Sequence, residues 1–366
     1  MEAIVQLCNE VNEDCWVNIP GTAQAIGNYA ESLAQLLYNG TGANLSGSYL
    51  TSFSGLNSNL KAYIEYMNEY WNGSFSQFSL TVMMGTPLYG TNYAEWYGSQ
   101  VAGIGDTFYN VYGSSAFGSR VVVSMSQQSS NTYWLQLIMN TPDWTSRAYT
   151  HHIGAIHTGG YFGLDSLTQN STDLTNFLAL SSTAQVNCYF TLAYSNTCGS
   201  TTFSSIPSNG YIGQIETITA NDIAAVSTQP WADLPRVVYE GGSSNSYYGA
   251  AGSQTAYLSF LISAHRDPRT QFLYFDPNHA LSPLGTGYFA AMGRAGISNV
   301  NIFSDVNSIT SGGDYGTLES IMQSLLPLSS APPKYQGIMS FVASTGSTTS
   351  ITSTPTPSPP TNLTVH

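Results

Sequence analysis

Short apolar runs alternate along this chain with longer stretches whose apolar residues recur at helical spacing. The runs that indicate strands lie at residues 15–20, 61–71, 120–127, 153–162, 236–240 and 300–303. Helical spacing is clearest at residues 2–10, 22–38, 132–140, 219–227, 254–264 and 288–292. Strands that alternate with helices predict a parallel sheet with helices packed on its outer surface. The 366 residues, 42% of them hydrophobic, are sufficient for one such α/β domain with a large core.

Two of the predicted strands carry a glutamate at their carboxyl end. The run at 63–67 is followed by Asn68 and Glu69, and the run at 236–239 is followed by Glu240 and two glycines. Burial beside aromatic side chains can raise the pKa of a carboxyl group, which then serves as a proton donor. The two glutamates therefore suggest the carboxylate pair of a glycosidase. The alternative is that one of them caps a helix or makes only structural hydrogen bonds.

The motifs Asn68-Glu69 and Val238-Tyr239-Glu240 together resemble those of the clan-A retaining glycoside hydrolases, which are (β/α)8 TIM barrels. The similarity runs from about residue 4 to about residue 320, and points to a branch often labelled as glycosidases or cellulose-binding proteins. It implies that the six strands are the third through eighth of a barrel, and that the first two βα units are lacking before Met1. Those units would belong either to an upstream part of the same chain or to another chain.

The resemblance also implies roles for individual residues. Glu240 is expected to be the nucleophile and Glu69 the acid/base of a double-displacement mechanism. Asn68 is expected to hydrogen-bond the 2-hydroxyl of the sugar, and Tyr161, near the end of its strand, is expected to lie near the nucleophile. Trp71, just past Glu69, is a candidate sugar platform, because aromatic faces stack on the apolar faces of sugar rings.

Further candidates for substrate binding follow from the alternation of side chains along strands. Trp16 and Asn18 lie on one face of their strand and are predicted to line the cleft. His157 falls on the same face as Tyr161, and Gln128 follows the end of its strand. For the aromatic residues and the histidine, the alternative is a packing role in the core.

Glu65 shares the inward face of Glu69 at a deeper position, where we expect a structural ion pair. No Gly-rich phosphate loop follows a predicted strand, and no cluster of potential metal ligands is visible in the sequence. We therefore expect neither a nucleotide nor a metal cofactor.

The charge balance limits the classes of partner. Lysine and arginine number 8 against 21 aspartates and glutamates, so the formal net charge is −13. Eight scattered cations cannot form a basic stripe, which argues against a nucleic-acid partner. The sequence has no run of 18 apolar residues, so we expect no membrane span.

The four cysteines and the glycosylation sequons predict an extracellular protein. Cys8 and Cys15 are close enough to pair, and Cys188 and Cys198 flank a segment predicted to be a hairpin closed by a disulfide. Candidate sequons lie at Asn39, Asn44, Asn72, Asn170 and Asn362. The first residues lack the basic start and apolar run of a signal peptide.

The composition changes near the end of the chain. Residues 1–342 are assigned to the barrel, and residues 343–360 form a Ser/Thr/Pro linker of the extended kind. Residues 361–366 resemble the first strand of a fibronectin type III-like module. The chain is therefore predicted to be attached to further domains.

The predicted function is that of a secreted retaining glycoside hydrolase with endo action on a β-linked polysaccharide of the glucan, xylan or mannan type. One alternative is a carbohydrate-binding or cell-surface structural protein that kept the fold and lost turnover. Another is a subunit of a surface assembly, which leaves the pair of strand-end glutamates unexplained.

Overall fold

The computed structural model describes residues 1–22, 28–43, 53–142, 146–278, 287–303, 306–310, 312–320, 322–323 and 326–345. The strands are β1 (Cys15–Ile19), β2 (Ala62–Tyr66), β3 (Val121–Gln127), β4 (Ala155–Phe162), β5 (Thr197–Cys198), β6 (Thr201–Thr202), β7 (Arg236–Ser243) and β8 (Ile297–Ile302). The α-helices are α1 (Glu2–Val11), α2 (Asn28–Asn39), α3 (Ser76–Tyr89), α4 (Glu95–Tyr112), α5 (Thr132–Met139), α6 (Asp165–Gln169), α7 (Ser171–Leu178), α8 (Ser182–Leu192), α9 (Gly210–Ala225), α10 (Gln254–His265), α11 (Thr270–Tyr274), α12 (Tyr288–Arg294) and α13 (Pro333–Ser344). The predicted linker beyond residue 345, the fibronectin-like segment, Asn44 and Asn362 lie outside the described residues.

Six strands form one parallel sheet in the order β1-β2-β3-β4-β7-β8, so neighbours in the sheet follow one another along the chain. Every connection between them contains at least one helix, as parallel pairing requires. The sheet is curled into a half-barrel, and among the described strands β1 and β8 are its two edges. The predicted α/β class and parallel sheet are confirmed, and closure into a barrel stays a prediction.

The two faces of the sheet are packed differently. Outward side chains of β1–β3 pack against α2, α4 and α5 in one hydrophobic core, and those of β4, β7 and β8 pack against α7–α12 in a second. The inward face has a small apolar layer near the amino ends of the strands, made by Val122, Ala155 and Val237 with Trp16 and Tyr63. Polar side chains follow above it, toward the carboxyl ends, where the sequence placed the two glutamates.

The strands that carry the glutamates differ in length from their predicted spans. β2 ends at Tyr66 rather than near residue 71, because Met67 adopts a left-handed backbone with φ 56°. β7 continues through Glu240 to Ser243, and the glycine-rich stretch after Glu240 pairs with β4. Glu69 therefore lies in a turn and Glu240 within a strand.

The segment between β4 and β7 folds as helices α6–α9 with a small hairpin. The hairpin predicted between Cys188 and Cys198 is wrong, because residues 182–192 form helix α8, capped by the Ser181 side chain. The hairpin is instead β5–β6, which pairs Thr197 with Thr202. The disulfide thus joins the buried face of α8 to the hairpin rather than closing it.

Both expected cysteine pairs are present. Cys8 and Cys15 join α1 to β1 with their Cα atoms 5.9 Å apart, and the Cα atoms of Cys188 and Cys198 lie 5.4 Å apart. Within the described part of the chain, no helix combines the length and apolar character needed to cross a membrane. These features are compatible with an extracellular protein.

Candidate active site

Strained backbone is concentrated at the carboxyl end of the sheet. Met67 and Glu69 follow β2 with φ of 56° and 49°, Ser130 follows β3 with φ 60°, and Asn245 follows β7 with φ 47°. A left-handed backbone costs a non-glycine residue about 1 kcal/mol or more, and such residues cluster at functional sites. In parallel α/β folds this edge is also where ligands bind. The candidate site therefore lies here.

Glu69 is held by neutral donors in the turn after β2. The backbone N–H of Asn72 donates to the Glu69 carbonyl oxygen at 2.9 Å, and the Asn72 side-chain amide donates to Oε2 at 2.6 Å. The hydroxyl of Tyr239 donates to Oε1. Neutral donors thus hold both carboxyl oxygens of Glu69. From the sequence, Asn72 was identified only as a glycosylation sequon.

A β-bulge brings Glu240 into the same space. Thr158 of β4 pairs with Val238, but the next residue, Gly159, pairs with Glu240. Tyr239 is therefore an extra residue in β7, and the bulge directs it and Glu240 toward the same side of the sheet. Bulges commonly redirect side chains in this way near functional sites.

Glu69 and Glu240 interact directly. Burial raises the pKa of Glu240 and the charge of Glu69 raises it further, while hydrogen bonds from Tyr161 and Tyr239 oppose this, leaving it at about 7. Glu69 therefore lies close enough to Glu240 to act on that carboxyl group. Because the pKa of Glu240 is raised to about 7, its carboxyl group is protonated below neutral pH.

The two tyrosines remain hydrogen-bond donors. Burial, followed by the charges of Glu240 and Glu69, raises the pKa of Tyr161 and of Tyr239. Their hydroxyls therefore stay protonated wherever the protein is folded. Tyr161 lies beside Glu240, as the resemblance implied.

An aromatic group stands on the same side of the site. The ring of Tyr161 lies 5.5 Å from that of Tyr315 and 6.2 Å from that of Phe303, and the latter two rings are 5.4 Å apart. All three contacts are edge-to-face, a favoured geometry for aromatic pairs. Phe303 is 40% exposed, so the group presents an apolar surface to solvent next to Glu240.

Trp16 and His157 lie one layer below the carboxyl pair. The His157 side chain is fully buried, and its ring contacts those of Trp16 and Tyr239. Trp16 is half-buried and stacks on Tyr63 with 5.4 Å between ring centroids. His157 therefore supports the site from beneath, and the predicted role of Trp16 in lining the cleft stays a prediction.

The remaining candidates are spread along the rim of the sheet. Asn18 is exposed on β1, and Asn68 is half-buried between the two left-handed residues after β2. Trp71 is half-buried and packs on the hydrophobic core. Gln128 is half-buried after β3, where its side-chain oxygen accepts from Asn131 at 2.9 Å. Among the described residues, the side chains of these four make no hydrogen bond, ion pair or ring contact with Glu69 or Glu240.

Tyr239 is the site residue that sequence reasoning missed. It was visible as the aromatic residue before Glu240, but strict alternation along a strand places these two neighbours on opposite faces. Tyr239 shares the inward face of Val237, and only the bulge turns Glu240 to the same face. No local sequence signal specifies that bulge. The two glycines that follow Tyr239 and Glu240 are the only local feature that points to a bulge, since glycines in strands often mark bulges.

Comparisons with known proteins do not assign the chain to a family. No protein-family model matches the chain, and no curated protein matches it. Within the described residues, no group of three or more His, Cys, Asp or Glu side chains could hold a metal ion.

Proposed function

We propose that this protein is a retaining glycoside hydrolase acting on a β-linked polysaccharide of the glucan, xylan or mannan type. The observation that carries the proposal is the proximity of Glu69, in the turn after β2, to Glu240 on β7, at the carboxyl end of one parallel sheet. Two neighbouring carboxyl groups are the chemical equipment of glycoside hydrolysis. The resemblance noted in the sequence supports the same assignment.

In the proposed reaction, Glu240 attacks the anomeric carbon and forms a covalent glycosyl-enzyme. Glu69 donates its proton to the departing oxygen, then takes a proton from the water that releases the sugar. Asn68, beside Glu69, is assigned to the 2-hydroxyl. The aromatic group of Tyr161, Phe303 and Tyr315 offers an apolar surface on which a sugar ring can stack.

The closeness of the carboxyl groups supports retention over inversion. Retaining enzymes hold the two groups about 5–5.5 Å apart, whereas inverting enzymes leave about 6.5–9.5 Å for a water molecule. The Tyr239 hydroxyl donates to Glu69 and also acts on Glu240, so one hydroxyl reaches both carboxyl groups, which favours the shorter separation.

The position of the carboxyl proton matters for the proposed roles of Glu69 and Glu240. The raised pKa falls on Glu240, whereas the proposed mechanism requires the proton on Glu69. The proposed reaction therefore requires the proton to move from Glu240 to Glu69 when substrate binds. Hydrogen bonds from Tyr161 and Tyr239 favour the ionised form of Glu240, which is the form that attacks.

An extracellular location is part of the proposal. The two disulfides favour an oxidising compartment. The Ser/Thr/Pro-rich sequence after the last helix would tether the enzyme to further domains, which suits action on an insoluble or surface-bound polysaccharide.

The first experiment is hydrolysis of β-glucans, xylans and mannans between about pH 4 and pH 7, where a carboxyl pair can act as acid and base. Glu69→Gln and Glu240→Gln should each abolish activity, while Glu10→Gln, an exposed glutamate on α1, should not. The first product should have retained configuration by NMR. Tight polysaccharide binding without hydrolysis by the native chain would instead indicate the carbohydrate-binding alternative.

Azide separates the two roles when a substrate with an activated leaving group is used. In Glu240→Gly, azide should attack from the vacated face and give a glycosyl azide of inverted configuration. In Glu69→Ala, azide should attack the glycosyl-enzyme and give the retained configuration. The reverse pattern would exchange the roles of the two glutamates.

A further inference from the structure

The interior of the sheet beneath the carboxyl pair contains a connected set of polar side chains. Glu65 on β2 and His157 on β4 are 1% and 0% exposed. The indole N–H of Trp16 donates to Glu65 Oε2 at 2.7 Å, and His157 Nε2 lies 3.4 Å from Glu65 Oε1. On the other side of the imidazole, Nδ1 lies 2.8 Å from Ser124 Oγ.

The imidazole and the Glu65 carboxyl group face each other in the buried interior. The Ser124 hydroxyl, which contacts Nδ1, also donates to the carbonyl oxygen of Ile64 at 3.1 Å. Neither His157 Nε2 nor Glu65 Oε1 has a hydrogen-bond partner among the described residues, and the two atoms lie 3.4 Å apart. The two buried polar side chains therefore restrict each other's position by direct contact.

This buried pair touches the site through Tyr239. The imidazole meets the Tyr239 ring edge-on, with 5.3 Å between centroids and 71° between planes. The indole of Trp16 packs against the imidazole from another side at 5.6 Å and 88°. The Tyr239 hydroxyl in turn donates to Glu69 and hydrogen-bonds Glu240. A continuous column thus runs from Glu65 to the carboxyl pair.

The charges that face this column are mostly negative. Beyond burial itself, the charge of Glu65 raises the pKa of Tyr97 and of Tyr239. The principal charged groups that raise the pKa of Tyr239 are Glu240, Glu69 and Glu65. His157 is the basic side chain in this set, and its ring packs edge-on against Tyr239.

We infer that Glu65 and His157 act as one positioning unit, which holds the Tyr239 hydroxyl between the two proposed catalytic carboxyl groups. Glu65 fixes the orientation of the imidazole, and the imidazole edge fixes the tyrosine ring. Both are fully buried, so they act through Tyr239 and not by contact with substrate. The catalytic meaning of this unit rests on the proposed function, whereas its effect on the carboxyl pair does not.

An infrared titration tests the inference without any assay of activity. The carbonyl-stretch band of the protonated carboxyl group is identified by its change in Glu240→Gln and is then followed against pH. In His157→Gln and in Glu65→Gln its midpoint should rise by about one pH unit, because Glu240 loses part of its hydrogen bond from Tyr239. Tyr239→Phe should raise it equally, and adding His157→Gln to Tyr239→Phe should have no further effect. Unchanged midpoints, or additive shifts, would overturn the inference.

Kinetics then distinguishes this inference from the proposed function. If the protein is a hydrolase, kcat should fall roughly 10- to 100-fold in His157→Gln with little change in KM, because misplaced groups slow chemistry while substrate contacts remain. A chain without hydrolase activity whose band shifts as expected would disprove the proposed function alone. An active enzyme whose band does not move would disprove the positioning unit alone. If His157→Gln does not fold, the near-isosteric Glu65→Gln variant is used for the same measurements.

Discussion

Two carboxyl groups along β7, one fully buried and one half-buried, have different kinds of neighbour. Asp314 is 2% exposed and packs against the end of β7, where Lys334 Nζ lies 3.3 Å from its Oδ2 and the Asn245 amide donates to its Oδ1 at 3.1 Å. Glu240, within β7, has Glu69 as its nearest charged group. One centre pairs an acid with a cation, and the other pairs an acid with an acid.

The consequences for protonation are opposite. Burial by itself raises the pKa of Asp314, but Lys334, His265 and Asn245 outweigh it and bring the pKa to about 2. Burial also raises the pKa of Glu240, and Glu69 adds to it, giving about 7. Burial therefore does not decide whether an interior carboxyl group is ionised, since the neighbouring charge does. The first centre is suited to hold the fold together and the second to move a proton.

The largest predicted effect is a loss of activity at one carboxyl group without a matching loss of activity at the other. Glu240→Gln should lower kcat/KM about a thousandfold or more, because it removes the proposed nucleophile. Asp314→Asn should leave kcat of the folded fraction within about threefold while lowering the unfolding free energy, since its former partner Lys334 stays buried. Activity on a soluble substrate and urea denaturation are the measurements. Equal losses of activity in both variants would erase the distinction between the two centres.

Removing the cation should damage the structural centre. Lys334→Met keeps the apolar length of the side chain but leaves Asp314 as an unpaired buried charge, which should cost about 3–5 kcal/mol of unfolding free energy. Arg294→Met provides the control, because Arg294 pairs with Glu216 at the surface and should lose less than about 1 kcal/mol. Chemical denaturation near neutral pH measures both. A loss in Lys334→Met no greater than in the control would contradict the assignment.

The pH dependence of stability should have opposite signs at the two centres. The folded-state pKa of Glu240, about 7, exceeds its ordinary value of 4.5, so the folded protein binds more protons between these values and stability falls as pH rises. Glu240→Gln should therefore be more stable than the native chain at about pH 8, by on the order of 2 kcal/mol, and similar near pH 4.

For Asp314 the folded-state pKa of about 2 lies below the ordinary value of 3.8, so its contribution is present above pH 3.8 and is lost as pH falls toward 2. Urea denaturation across pH, with Asp314→Asn beside Glu240→Gln, measures both slopes. A native chain whose stability rises from pH 4.5 to 7, with the rise removed in Glu240→Gln, would contradict the protonated pair.

The smallest effect concerns the neutral donor that orients Glu69. Asn72→Ala removes the amide that donates to Glu69 Oε2 at 2.6 Å, and should lower kcat about tenfold with little change in fold stability. Ser74→Ala, two residues further in the same turn, is the matched control. Steady-state kinetics with thermal denaturation gives both values. Unchanged kcat in Asn72→Ala would show that Tyr239 alone is enough to hold Glu69.

Much of the fold was predictable from the sequence. All six strands of the parallel sheet were predicted at the correct places, because β-rich apolar runs flanked by helical periodicity leave little choice of fold class. Their ends were less predictable. Met67 and Glu69 leave the extended conformation and shorten β2, while Gly241 and Gly242 let β7 continue beside β4. The hairpin error at Cys188 had a similar cause, since a local pattern compatible with a hairpin was overruled by packing of α8.

The candidate site was predictable only in its outline. Glu69 and Glu240 lie together, with Tyr161 beside them, because parallel strands bring their carboxyl ends to one edge. The shared inward face of Tyr239 and Glu240 was not predictable, because the bulge that turns Glu240 inward depends on the register between β7 and β4. The burial of His157 beneath the site depends likewise on side chains from β1, β2 and β3.

The sequence by itself determined the alternation of strands and helices, the two glutamates after or within β2 and β7, and the two pairs of neighbouring cysteines, because each of these follows from the local order of residues. The tertiary structure alone decided which neighbour each buried carboxyl group received. Lys334 lies 20 residues beyond Asp314, and Glu69 lies about 170 residues before Glu240. Neither pairing can be recognised from its spacing in the sequence. The protonation state of a buried group depends on contacts across the fold, and the low dielectric of the interior makes those contacts strong.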